Sequence, residues 1–291
     1  MKIATAAYDM DFLPDWQAYE SKITRWVTEA VGQGADLLVF PEYGAMELAT
    51  LEGRDRAADL EQSLHAVAKH IPAADRLHAK LAQEHQVYIL AASAPVFATD
   101  RPSNRARLFG PSGQMLEQDK QIMTRFERED WHVISDGPLQ IFDTALGKIG
   151  ILICYDSEFP LLGRALEEAD LILVPSCTDA LSGYWRVRIG AMARALENQC
   201  VTVMASTVGD CDWSPAVDEN VGAGGVFGPP DRGFPDTGVI ALGQLNVPGW
   251  TYAEVNLSMV QAARSSGAQF NRRHWADQEG REKPAAIFSL R

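Results

Sequence analysis

Gly147-Lys148-Ile149-Gly150-Ile151-Leu152-Ile153-Cys154-Tyr155-Asp156-Ser157-Glu158-Phe159-Pro160 is the stretch from which the rest of the chain is read. Its first half is an apolar run with the length and β-branched content of a strand buried on both faces. Cys154 stands where that strand ends, and Asp156 and Ser157 suit the cap of a helix continuing through Leu161, Leu162, Ala165 and Leu166. A thiol at such a strand-to-helix elbow is expected to be exposed at the carboxyl edge of a sheet, beside a positive helix end that favours the thiolate. The competing reading is an ordinary buried cysteine, so the remainder of the chain has to decide.

Working outward, Ile3 to Tyr8 reads as a first strand, and Trp16, Tyr19, Ile23, Trp26, Val27 and Ala30 recur at helical spacing until Gly32 and Gly34. Leu37-Leu38-Val39-Phe40 is a second buried strand, and Pro41-Glu42 closes it. A helical period over 56–85, interrupted at Pro72, leads to a strand over 87–92, so the opening order is βαβαβ. Ala106 to Phe109 and Gln114 to Gln118, around Gly110-Pro111-Ser112-Gly113, predict a hairpin that delivers Asp119-Lys120. The second half repeats the alternation: a helix over 157–168, strand 170–175, a helix around 186–197 and strand 201–205, then short strands among Gly and Pro turns. Strand–helix alternation with interspersed hairpins predicts an α/β fold, a four-layer α-β-β-α sandwich of two mixed β-sheets face to face with helices outside. Residues 1–273 read as one domain, and 274–291 as a polar tail, loose or placed at a subunit interface.

With 291 residues, 46% apolar, the chain has material for a large core. Its formal charge of −13 argues against a nucleic-acid or anionic-membrane partner. The start lacks the apolar core of a signal peptide and no apolar run approaches spanning length, so a cytoplasmic location is expected. Cys154, Cys177, Cys200 and Cys211 are scattered without C-x-x-C spacing and read as free thiols. No metal and no cofactor is expected.

Three polar residues thus fall where apolar strands run out: Glu42, Lys120 and Cys154. Singly, a Glu or Lys in such a place is usually a solvated charge. Together they supply a base for the thiol proton, a cation for a tetrahedral oxyanion, and a nucleophile, which suffices to cleave an amide without histidine.

These residues resemble the nitrilase superfamily of carbon–nitrogen hydrolases. Phe40-Pro41-Glu42 is similar to that family's general-base motif, Asp119-Lys120-Gln121-Ile122-Met123-Thr124-Arg125-Phe126-Glu127 to its lysine motif, and Gly150-Ile151-Leu152-Ile153-Cys154-Tyr155-Asp156 to its nucleophile elbow. Arg194-Ala195-Leu196-Glu197-Asn198 resembles a later helix motif, and order and spacing agree to about residue 257. The resemblance implies a Glu42, Lys120, Cys154 triad, with Glu127 as a second glutamate that positions substrate or lysine; Glu129 competes for that place. It implies that the Tyr155 N–H joins Lys120 in the oxyanion site. Small amides are the implied substrates and a homodimer or larger homo-oligomer the implied assembly.

Tyr155-Asp156 after the cysteine looks like the amidase side of the superfamily, whereas the spacing of Thr124, Glu127 and Trp131 also resembles nitrilases. Trp131, His132, Tyr184 and Trp185 are candidates for the pocket lining, their alternative being core or interface aromatics. The rivals are a nitrilase or N-carbamoyl hydrolase, and a catalytically silent scaffold. A papain-type pair is a further rival, though the sequence around Cys154 does not suit it. His78 and His85 read as members of a solvated helix face. Neither a Gly-x-Ser-x-Gly elbow nor a His-Glu-x-x-His site is present.

Overall fold

The computed structural model describes residues 1–281 and 283–290. Its strands are β1 (Lys2–Asp9), β2 (Leu37–Val39), β3 (Tyr88–Phe97), β4 (Pro102–Phe109), β5 (Met115–Asp119), β6 (Ile141–Thr144), β7 (Gly147–Ile151), β8 (Leu171–Ser176), β9 (Val201–Asp210), β10 (Glu219–Asn220), β11 (Gly225–Phe227), β12 (Val239–Leu242) and β13 (Gly249–Glu254). The helices are α1 (Trp16–Gly32), α2 (Arg54–Ala58), α3 (Leu60–His85), α4 (Arg125–Glu129), α5 (Pro160–Ala165), α6 (Leu181–Asn198) and α7 (Ser258–Ser266).

Hydrogen bonding joins the strands in the order β5-β4-β3-β2-β1-β9-β8-β7-β6. The two halves of this mixed sheet meet through β1 and β9, though only over Ala7–Ser206, Tyr8–Thr207 and Asp9–Val208. The rest of that edge of β1 is taken by antiparallel β13. The mixed α/β character holds, with β3, β2, β1, β9, β8 and β7 mutually parallel and antiparallel hairpins at both margins.

Alternation along the strands explains the continuous apolar runs. Ala4, Ala6, Tyr8, Leu38 and Ile89 join one core, with the inner faces of α1 and α3. Their neighbours Ile3, Leu37, Val39, Leu90 and Leu108 join a second core, with Ile149, Ile151, Leu171, Leu173, Val201 and Val203 of the other half. A strand buried on both sides has no polar face to alternate with.

Several local expectations are revised. Two helices replace the one begun near Arg56, because Asp59 caps α3 by accepting the Gln62 N–H at 2.8 Å. Helix α3 then runs through Pro72 without interruption. A proline inside a helix costs about 3 kcal/mol; here apolar residues on both sides of it, from Leu64 to Leu81, are buried and outweigh that cost. His78 is buried rather than solvated, its ring stacked on Phe109 and hydrogen-bonded to the Ala74 carbonyl. After the cysteine the chain forms a short 3-10 turn over Cys154–Glu158 before α5 begins at Pro160. The tail's first turn docks on its own chain, where Trp275 Nε1 donates to the Glu197 carbonyl and the Arg164 guanidinium lies over the ring. Residues 282 and 291 of that tail lie outside the described residues. Among the described residues no helix is long and apolar enough to cross a membrane.

Candidate active site

Because β2, β7 and β8 run parallel and β5 has the same direction, their carboxyl ends share one edge, where α/β proteins place ligands. Glu42 follows β2, Lys120 follows β5, Cys154 follows β7 and Cys177 follows β8. These side chains line one cavity of about 360 Å³. Glu127, Tyr155, Trp131, Arg186, Val187, Thr178, Pro215 and Ala216 also line it.

Two residues at the floor hold left-handed backbone that costs a non-glycine residue about 1–3 kcal/mol. Cys154 has φ 50° and Tyr43, next to Glu42, has φ 54°. The elbow is fixed by its neighbours. Ser157 Oγ donates to the Cys154 carbonyl at 2.7 Å. Asp156 does not cap a following helix as expected; its carboxylate accepts the N–H groups of Ile153 at 3.1 Å and Ile122 at 2.8 Å, tying the elbow to the lysine loop. From behind, Arg194 donates to the Ser157 carbonyl and Asn198 to that of Gly163, so the later helix motif secures this segment. Gly190 of α6 lies so close that a Cβ there would sit 2.8 Å from the Ser157 carbonyl oxygen.

Lys120 Nζ, 1% exposed, reaches Glu42 Oε1 at 2.6 Å and Glu127 Oε2 at 2.7 Å. Glu127 heads α4 in a capping box, its Oε2 accepting both the N–H and the hydroxyl of Thr124, while the Tyr43 hydroxyl donates to Oε1 at 2.8 Å. Glu42 Oε2 accepts the Cys177 N–H at 2.9 Å. Burial works to lower the Lys120 pKa, but Glu127 and Glu42 overcome it and hold the ammonium charged. Burial pushes the Glu42 carboxyl above its ordinary range despite Lys120. In Glu127 the same burial is outweighed by Lys120 and the hydrogen-bond donors, which keep that carboxyl low. Two adjacent carboxylates are thereby set apart in proton affinity, the pattern of a base beside a permanent anion.

Cys154 is 4% exposed, and its Sγ approaches the Cys177 carbonyl at 3.7 Å. The expectation of an exposed elbow that favours thiolate is corrected. Burial, and then the negative charge of Glu42, push the thiol well up, with Lys120 opposing, so the resting sulfur is protonated and needs a base.

Of the pocket aromatics, Trp131 lines the cavity and is also core, packed on Tyr43 and Phe126 with Nε1 donating to the Leu60 carbonyl. The other three are corrected. His132 is exposed and turned back to the Arg128 carbonyl, Tyr184 faces the core, and Trp185 lies on the solvent side of α6, 45% exposed. The 100° step of the helix gives the cavity to Arg186 and Val187 instead. Glu129, the competitor of Glu127, is exposed and paired with Arg125. No histidine lines the cavity among the described residues, which removes the papain-type reading. Sequence reasoning missed Tyr43, Asn104 and Cys177. Cys177 had a signal, since Pro175-Ser176-Cys177 ends an apolar strand as Pro41-Glu42 does; a strand-interior Asn104 had none.

Fold and site together define a mixed α/β protein in which a buried cysteine, two glutamates and a lysine share one cavity. Residues 2–265 match the carbon-nitrogen hydrolase family model, and the chain belongs to that family, within the nitrilase superfamily. It is 30% identical over 92% of its length to the probable hydrolase YhcX of Bacillus subtilis, spanning 52% of that protein. With nitrilase 1 of Arabidopsis thaliana it shares 27% identity over 66% of its length and 57% of the relative. The chain thus spans about half the length of these curated relatives. Among solved structures it resembles Saccharomyces cerevisiae Nit3, of the nitrilase superfamily (TM-score 0.71, 20% identity, 91% and 93% of the two chains). It also resembles the NitN amidase from Nesterenkonia sp. AN1 (TM-score 0.68, 20% identity, 97% and 98%).

Proposed function

We propose that the protein hydrolyses a small amide through a thioester on Cys154. Glu42 takes the thiol proton as sulfur attacks the carbonyl carbon, and Lys120 with the Tyr155 N–H receives the oxyanion. Glu42 returns the proton to the departing ammonia or amine, leaving the acyl group on sulfur. Water, deprotonated by Glu42, then attacks the thioester to release the carboxylic acid and restore the thiol. Glu127 stays ionised and keeps Lys120 charged and aimed. The observation that carries this reading is that Cys154, Glu42, Lys120 and Glu127 line one cavity with the thiol protonated beside its base. The likeness to the Nesterenkonia amidase, a Glu-to-Gln mutant of which undergoes Michael addition of acrylamide at the active-site cysteine, supports a reactive thiol and the amide side. Release of ammonia is to be measured across short aliphatic amides, ω-amides, N-carbamoyl amino acids and nitriles. Turnover of amides supports the proposal, turnover of nitriles alone transfers it to the nitrilase side, and no turnover with an unreactive Cys154 favours the silent scaffold.

The same reading treats residues 1–273 as one hydrolase domain of four layers, α-β-β-α, supported by the core that Ile3, Leu37 and Leu108 share with Ile149, Leu173 and Val203. It also takes the chain as a homodimer. Trp185, Ile189 and Leu196 form an exposed apolar stripe on α6, with Leu161 exposed on α5, and Ile287, Phe288 and Leu290 of the tail stand in solvent.

A further inference from the structure

The two buried glutamates both hydrogen-bond to Lys120, and among the described residues one further side chain hydrogen-bonds to both. That side chain is Asn104, fully buried in β4, whose Nδ2 lies 2.9 Å from Glu42 Oε1 and 3.3 Å from Glu127 Oε1. Its orientation is imposed. Ser93 Oγ donates to Asn104 Oδ1 at 2.6 Å, and the Tyr43 N–H occupies the Ser93 oxygen as acceptor at 3.1 Å. A flipped amide would set Oδ1 against two carboxylates, acceptor against acceptor. The strand is shaped for this contact, because the β3–β4 register shifts between Ala91 and Ala94, placing Ser93 in the irregularity. Bulges of this kind re-aim side chains beside active sites. The Lys120 N–H closes the frame on the Asn104 carbonyl at 2.9 Å.

We infer that Asn104, locked by Ser93, is a positioning residue that splints Glu42 to Glu127 and keeps Glu42 available as the anionic base beside Cys154. This rests on the hydrolase reading above and adds to it. The count of donors gives the reason. Glu127 receives the Tyr43 hydroxyl, the Thr124 N–H and hydroxyl, and Lys120 in addition to Asn104, so it stays ionised without the amide. Glu42 receives Lys120, Asn104 and the Cys177 N–H besides the Cys154 thiol whose proton it takes, so the amide is one of three bonds from other groups that hold its charged form against burial. The other ionisable groups facing Glu42 are Glu127 on α4, the Cys154 thiol on the elbow, the Cys177 thiol after β8 and the Tyr43 phenol, none of which is a cation. Loss of the amide therefore falls mainly on Glu42.

The test is the pH dependence of Cys154 alkylation by iodoacetamide, read on the Cys154 peptide by mass spectrometry in wild type, Asn104→Leu and Ser93→Ala. A hydrogen bond to an ionised group corresponds to about one pH unit or more. The acidic limb of the rate profile should accordingly move up by about one unit in Asn104→Leu. Ser93→Ala, which frees the amide to turn but keeps the strand intact, should move it in the same direction by less, and it carries the test alone if the leucine variant does not fold. Profiles that superimpose on wild type, with rate lowered equally at every pH, would overturn the inference and make Asn104 merely structural. A wild-type protein whose Cys154 shows no acidic limb at all would instead refute the base role of Glu42.

Discussion

Two lysines of this chain are buried against glutamates near the same sheet edge, and only one of them belongs to a site. Lys22 meets Glu47 and, at 2.8 Å, Asp11, donates to the Asp9 carbonyl, and lies over the Tyr8 ring, while the Tyr8 hydroxyl and the Asp11 N–H complete the Glu47 carboxylate. Lys120 meets two carboxylates in an equally dry place. The first cluster lies outside the cavity that Cys154 lines and fastens the end of β1 to the turn after β2. The second forms the wall of a cavity, beside a thiol on strained backbone. Burying an ion pair does not by itself announce function, and its net contribution to stability is often small. What distinguishes the Lys120 cluster is a shared lysine with carboxylates of unequal proton affinity, facing a thiol.

The comparison can be broken by exchanging the effects. Lys120→Met should lower kcat by roughly 10²–10³-fold through loss of the oxyanion partner, whereas Lys22→Met should leave kcat nearly unaltered. Denaturant unfolding should rank the latter differently, with Lys22→Met losing about 3–5 kcal/mol because Glu47 is left buried and unpaired. Equal losses of activity in the two variants would erase the distinction drawn here. A smaller effect sharpens it. Burial pushes Glu47 from an ordinary 4.5 up to about 7, against the pull of Lys22. A carboxyl that binds its proton more tightly folded than unfolded adds stability in full below pH 4.5, and that contribution is lost as pH rises through about 7. Glu47→Gln should thus make the fall in stability across that window shallower, without moving the acidic limb of catalysis. An unaltered slope would show that Glu47 does not titrate there.

Much of this was legible in the residues. The apolar strands before Glu42 and Cys154 disclosed the sheet edge, since a run with no polar alternation has to be buried on both faces, while Lys120 was reached only through the hairpin that precedes it. The chain order of motifs was enough for the family. What could not be read was packing geometry. The seclusion of Cys154 reversed the expected state of its thiol, because burial and Glu42 together outweigh the pull of Lys120. The helical step that sends Tyr184 inward and Trp185 outward depends on where α6 rests, which Gly190 against Ser157 decides. Asn104 sits in a strand whose sequence looks unremarkable, and its meaning arises only when β4, β2 and α4 converge on two carboxylates.

The most direct test of Cys154 as the nucleophile is mass analysis of the protein acid-quenched while it turns over an amide from the ammonia-release panel. The account predicts an added mass equal to the acyl group, on the peptide carrying Cys154 and on none carrying Cys177, Cys200 or Cys211, together with loss of ammonia release in a still-folded Cys154→Ala variant. Ammonia release that persists in that variant, with no acyl group on Cys154 in the wild type, would contradict it.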